Sequence, residues 1–296
     1  MPKFKKLKIY DGTPTQREMT IRDLLTHTAG LTYGFMHANS VDEMYRDQAV
    51  EESDDLEQMV DKLSELPLLF TPGSRWNYSV ATDVCGYLVQ KISDIPFNVF
   101  LQEQILNPLG MDDTDFYVPE DKSHRLTSNY EITKDKGMRL IDPSETSHYL
   151  KKPGLYSGGG GLLSTVQDYF KFGQMLLNGG KYEGVHILGR KTVDLMTRNH
   201  LPGNVDLTAM GQTTFAETPF DGVGYGLGVS VMLDPAKAQI LGSKGEFSWG
   251  GMASTFFFAD PSEELLVILL TQLVPSTAYP IRRELRVTTY QSLIDN

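Results

Sequence analysis

A single cysteine, Cys85, excludes an intramolecular disulfide in this 296-residue chain. It sits beside Val84, Leu88 and Val89, so it reads as a small buried hydrophobe and not as a nucleophile. Histidine occurs six times and never in His-Glu-x-x-His spacing, so no metal or other cofactor is expected. Cationic residues are in deficit: 27 Lys and Arg against 38 Asp and Glu give a net charge of −11 and a pI near 5.0. Nucleic acids and anionic membranes attract basic surfaces, so neither is expected as a partner. Long apolar runs are also missing. The longest compact one is "LLVILL" at 265–270. It falls far short of the roughly 20 residues of a membrane span and suits a buried strand. The opening "MPKFKKLKIYDG" has lysines but no apolar stretch behind them, which predicts no signal peptide and a cytoplasmic location.

What is present is an ordinary globular balance, 40% hydrophobic and 22% charged, enough for a full core in one domain covering 1–296. Thr20 followed three residues later by Asp23 reads as a capping box opening a short helix that stops at Gly30. Residues 41–66 read as helical with an acidic face. Further helices are expected over 79–92, 97–105 and 191–199. Another starts behind an N-cap at Ser164 or Thr165 and stops at Gly179 and Gly180. Residues 117–155 are polar and irregular, with short strands. From about Gly222 the text changes: "GVGYGLGVSVML", "FSWGGMASTFFFADP" and "ELLVILLTQ" read as three or four antiparallel strands, closed by a helix with Pro280 near its first turn. Helices first and a sheet last predict an α+β protein, with a helical lobe over about 20–215 and a sheet with its C-terminal helix over about 222–296.

Four segments carry the chemistry: "TIRDLLTHTAGL" at 20–31, "PGSRWNYSVATDVCGYLV" at 72–89, "SGGGGLLSTVQDY" at 157–169 and "FSWGGMASTFFFADP" at 247–261. In this order and spacing they resemble the serine β-lactamase and penicillin-binding protein superfamily, and within it the class-C-type β-lactamases and related carboxylesterases. The resemblance spans essentially the whole chain and implies an antiparallel sheet flanked by helices. The superfamily combines a Ser-x-x-Lys nucleophile element, a Tyr-x-Asn or Ser-x-Asn element and a Lys-Thr-Gly-type strand. Tyr78, Ser79 and Val80 stand at the second element, which implies Tyr78 as general base or acid. Trp249, Gly250 and Gly251 stand at the third, an esterase-like replacement. The resemblance implies that they line the substrate and the oxyanion side, together with Ser79 and Ser157. A phenol near pKa 10 is a poor base at neutral pH unless nearby cations favour the phenolate. A helix N-terminus also favours negative charge there. Paired glycines on a strand allow close backbone approach to a carbonyl. His27, in contrast, reads as a helix-terminal residue bonded to backbone. The glycine run at 157–161 has no Gly-Lys-Ser/Thr behind it and is no phosphate cradle.

The first element is absent: none of the nineteen serines has a lysine three residues on, and no Gly-x-Ser-x-Gly elbow occurs. The resemblance places Ser-x-x-Lys several tens of residues before the "TIRDLL" helix, so the chain is expected to lack the N-terminal strands and the nucleophile helix. Two functional expectations follow. One is a carboxylesterase-like serine hydrolase that, when complete, acts by an acyl-enzyme on small esters or β-lactam-like substrates. The other is a non-catalytic binding protein or inactive fragment. The apolar strand at 265–272 would then form an open sheet edge, available for self-association or for a complementing N-terminal segment.

Overall fold

The computed structural model describes residue 4 and residues 7–211 and 220–294. The helical lobe begins with α1 (Ile21–Leu25), α2 (Ser40–Asp47), α3 (Leu56–Glu65), α4 (Ala81–Ser93), α5 (Phe97–Leu101) and α6 (Asn107–Leu109). The expected capping box at α1 is present: Asp23 N donates to Thr20 Oγ1 at 3.2 Å and Thr20 N donates to Asp23 Oδ2 at 2.8 Å. The stretch expected as one helix over 41–66 is two. A turn with Ala49 in the left-handed region ends α2, and Asp55 caps α3 by accepting from Gln58 N at 2.8 Å. Clustered carboxylates at 51–55 favour such a break, because side-chain oxygens there compete for backbone N–H groups. The helix expected over 97–105 continues past α5 as a π-turn at Gln102–Leu106.

A hairpin of β1 (Asn129–Ile132) and β2 (Met138–Asp142) follows. Then come α7 (Val166–Leu177), β3 (Lys181–Tyr182), β4 (Val185–His186), α8 (Arg190–Met196) and α9 (Leu207–Met210). Thr165 is the N-cap of α7, accepting from Asp168 N at 3.2 Å, as its sequence suggests. The last part holds β5 (Val223–Tyr225), β6 (Ser230–Met232), α10 (Pro235–Ala238), β7 (Phe247–Gly250), β8 (Phe256–Asp260), β9 (Leu265–Leu269), β10 (Leu273–Val274) and α11 (Ile281–Gln291).

Strands β5 to β9 form an antiparallel sheet in sequence order, one strand more than the upper expectation. Register sets its faces. Trp249 pairs with Phe257 and Phe247 with Ala259, and with Val231 this face packs against Met175 and Leu176 of α7. Phe256 and Phe258 point the other way. There the Arg286 guanidinium lies 5.6 and 5.2 Å from their rings, and Tyr290 stacks on Phe258 at 5.7 Å, so α11 covers this face. Strand β9 ends the sheet with β8 as its one partner strand among the described residues. A separate core fills the helical lobe around Leu24, Tyr45, Met59, Val60, Val80 and Val84. Trp76, Leu201, Leu207 and Tyr225 bridge the two.

Candidate active site

Between the lobes lies a cleft of about 1670 Å³, larger than the roughly 300–1,000 Å³ usual for a small-molecule site. Tyr78 reaches it from the extended segment just before α4. That segment is clamped to the loop after α1. Asn77 N donates to His27 O at 2.9 Å, Val80 N to Thr32 O at 3.2 Å, and the Asn77 side chain to Leu31 O at 3.0 Å. Backbone bonds of this kind fix the position of Tyr78 without involving its side chain.

Tyr78 and Trp249 line the same cleft with ring centroids 5.6 Å apart, although one belongs to the helical lobe and the other to the sheet. Gly250, Gly251 and Ser157 line it too. The two strand glycines have an additional, internal reason. A Cβ on Gly250 would come within 2.7 Å of the Arg282 guanidinium carbon, and one on Gly251 would collide with the Thr255 hydroxyl. Arg282 Nη2 donates to Gly251 O at 2.6 Å and Thr255 O at 3.1 Å, so α11 holds the end of β7.

Ser79 departs from the expectation. It is buried, is not among the residues lining the cleft, and its Oγ lies 3.3 Å from His27 Nδ1. The physical reason is the turn into α4, where Ser79 Oγ accepts from Ala81 N at 3.4 Å, which directs its hydroxyl inward.

Three residues given no part in this site by the sequence stand beside Tyr78 or the glycine loop. His27 does close α1 as expected, left-handed at φ +53° just past the C-cap with its N–H donating to Leu24 O at 3.2 Å, but its ring also lies 4.9 Å from Tyr78, 5.6 Å from Tyr225 and 6.0 Å from Trp76. Burial pushes its imidazole down to about 3, so it is neutral at working pH. Tyr33 lies 5.2 Å from the Tyr78 ring. Asp83, in the first turn of α4, is buried against the glycine loop. Its Oδ1 accepts from the Ser157 hydroxyl and from Gly159 N at 3.1 Å, and Ser157 Oγ accepts from Gly159 N and Gly160 N, each at 3.0 Å. Burial still holds the Asp83 carboxyl above the usual range. A charged residue inside an otherwise apolar helix start was the available signal.

The electrostatics around Tyr78 also differ from the family picture. Burial raises its phenol; hydrogen bonds with Trp249 and Tyr33 oppose that rise, and the Asp83 charge adds to it. The helix starts three residues later, at Ala81, so its dipole acts from farther away than the sequence suggested. Among the described residues no group of His, Cys, Asp or Glu is arranged to hold a metal ion, and no helix is long and apolar enough to cross a membrane. Burial pushes the Cys85 thiol up to about 12, which makes it a poor nucleophile.

Known proteins are similar to this chain in sequence and in fold. Protein Rv1367c of Mycobacterium tuberculosis is 37% identical over 266 residues, covering 88% of this chain and 64% of that protein. The chain thus spans less than two thirds of that relative's length. Esterase EstB of Burkholderia gladioli is 30% identical over 297 residues, covering 94% of this chain and 69% of the esterase. Among solved structures, EstCE1, described as a hydrolase with promiscuous acyltransferase activity, superposes with a TM-score of 0.77 at 27% identity, covering 97% of this chain and 75% of that one. The family model described as Beta-lactamase matches residues 5–290. The chain thus belongs to the Beta-lactamase family and has the β-lactamase and penicillin-binding-protein fold.

Proposed function

We propose that this fold serves acyl transfer from carboxylic esters through a serine acyl-enzyme, with Tyr78 as the proton carrier. The observation that carries the reading is the Tyr78 ring 5.6 Å from the Trp249 ring at the wall of a cleft shared by both lobes. In the step envisaged, a serine oxygen forms a bond to the ester carbonyl carbon while its proton passes to the Tyr78 oxygen. The tetrahedral oxyanion lies against the strand end at Trp249, Gly250 and Gly251. Collapse breaks the bond to the alkoxide, which takes the proton from Tyr78. Water then repeats the sequence and releases the acid. The esterase and acyltransferase names among the relatives support the ester class.

No Ser-x-x-Lys lies within these 296 residues, so in this reading the attacking serine comes from polypeptide outside them. The test is a chimera in which the Ser-x-x-Lys-bearing segment of a family esterase precedes residue 1, assayed with p-nitrophenyl butyrate. Turnover is expected in the chimera, with a loss of at least about a hundredfold on Tyr78→Phe, and only background from the chain alone. A folded chimera that binds the ester without turnover would point to a binding protein instead. Unchanged turnover in Tyr78→Phe would remove Tyr78 from the mechanism.

A further inference from the structure

Beneath α11, on the face of the sheet turned away from α7, three acidic groups meet. The Tyr290 hydroxyl oxygen lies 2.7 Å from Glu246 Oε2 and 2.6 Å from Asp260 Oδ2. Glu246, just before β7, is 2% exposed, and Asp260, at the end of β8, is 0% exposed. None of the three takes part in the acyl transfer proposed above. A phenol has one proton to give, and a carboxylate oxygen accepts without donating. Both contacts have the length of a full O–H···O bond to a single acceptor, so one hydrogen divided between the two does not account for them. With both carboxyls ionised, Tyr290 serves one of them and turns a lone pair toward the other. With one carboxyl in its acid form, both contacts are bonds. That acid donates to the Tyr290 oxygen, and Tyr290 donates to the remaining carboxylate.

The surroundings fit the second arrangement. Arg286 Nη2 lies 2.7 Å from Glu246 Oε1, so this guanidinium balances one negative charge and not two. The neighbouring cations of α11 reach other partners: Arg282 Nη2 donates to Gly251 O at 2.6 Å and Arg283 Nη2 to Gln239 O at 2.8 Å. From the turn after β8, Ser262 N and Glu263 N donate to Asp260 Oδ1 at 2.9 and 3.4 Å, which leaves Oδ2 turned to Tyr290. A β-carbon on Gly242 would come within 2.9 Å of Glu246 Oε2, and the Tyr290 ring stacks on Phe258, so backbone and ring close around the cluster. Two carboxylates in one buried site repel, and burial holds the Glu246 carboxyl above its usual range.

We propose that Glu246, Asp260 and Tyr290 form a buried proton-binding site, in which the two carboxyls hold one proton between them and that proton fastens α11 to the sheet. The titration belongs to the pair and not to either carboxyl. When solvent base takes the proton, the acid O–H bond breaks and its electron pair stays on the carboxylate. The cluster then carries two negative charges against the one positive charge of Arg286. Arg282, one turn earlier on the same helix, holds the end of β7, so α11 joins this site to the cleft wall. The site stands independently of the role given to Tyr78.

The test compares the full chain with Asp260→Asn by denaturant titration at a series of pH values from 5 to 9. The amide keeps an oxygen for the two backbone bonds and puts an N–H where the acid O–H stands, so it mimics the protonated pair at every pH. Between the ordinary carboxyl range and the midpoint of the pair, the folded parent binds more protons than the unfolded chain, so its stability falls as pH rises. The unfolding equilibrium constant of the parent relative to that of Asp260→Asn should rise by up to about tenfold per pH unit across this interval and level off above it. Asp83 and Glu51, also shifted upward by burial, are present in both chains and cancel. A ratio that stays constant from pH 5 to 9 overturns the proposal. Should Asp260→Asn fail to fold, Glu246→Gln gives the same comparison through the other carboxyl. Should neither fold, the side-chain carboxyl carbon-13 resonances of the parent, labelled in Asp or in Glu, decide. An Asp and a Glu resonance with a common midpoint above the ordinary range support the site, and the lack of such a pair overturns it.

Discussion

His27 shows how a side chain that reads as an ordinary helix end becomes part of a site. Its imidazole stays neutral in the folded chain down to about pH 3 but takes up a proton near the model-peptide value of 6.5 when unfolded. Between those values the unfolded state binds more protons, so unfolding free energy falls as pH drops through the interval, by up to about 1.4 kcal/mol per pH unit. Buried Asp83 and Glu246 and half-buried Glu51 are shifted upward and contribute with the opposite sign as pH rises past the usual carboxyl range. The difference between the parent and His27→Gln therefore isolates the imidazole. Denaturant titrations at a series of pH values between 4 and 6.5 should show a shallower acid loss in His27→Gln. Equal slopes would mean that the imidazole is protonated in the fold. Nothing in the local sequence announces this role, because the contacts of His27 with Ser79 and Tyr78 span some fifty residues and depend on a left-handed backbone at position 27. Tyr78 and Trp249 were readable, since each sits in a motif. Tyr33 sits in no such motif and Asp83 offers only a charge at the start of α4, since their places in the site exist only once α4 and the glycine loop meet.

The glycine loop and α4 meet closely enough that backbone, and not side chain, sets the limit. A β-carbon on Gly158 would collide with the carbonyl of Thr82, whereas one on Gly160 would have nothing within 4 Å. Gly158→Ala should therefore cost on the order of 1–3 kcal/mol, while Gly160→Ala should be neutral within about 0.5 kcal/mol. Thermal unfolding of the two variants side by side checks this, and matching midpoints would show that the loop stands farther from α4. Helix starts were the readable part at this level: Thr20 and Thr165 cap α1 and α7 by local bonds that a sequence can display. The break inside 41–66 was not, because an acidic surface stripe and an acidic turn look alike until Asp55 is seen to start a new helix. The π-turn after α5 carries no local signature either.

Across the molecule, the order of helices before strands was enough to give the α+β class, and the apolar run at 265–270 gave β9. Its place at the end of the sheet matches the expected edge. A strand with backbone groups on one side not taken up by a neighbour is a template for pairing. The chain should therefore associate with rising concentration in sedimentation velocity, and Val267→Lys on β9 should reduce that association without loss of secondary structure. A parent chain that stays monomeric at high concentration would argue that side chains already shield the edge.

The two lobes hold one indole each, in unlike surroundings. The chain contains two tryptophans; Trp76 is 2% exposed in the bridging core, and Trp249 forms part of the cleft wall. Ultraviolet-excited emission is thus a mixture of a silent internal standard and a reporter whose quantum yield depends on what enters beside it. Replacing Trp249 with Phe would leave the standard alone, and the difference spectrum would be an optical gauge of occupancy that needs no label and no turnover.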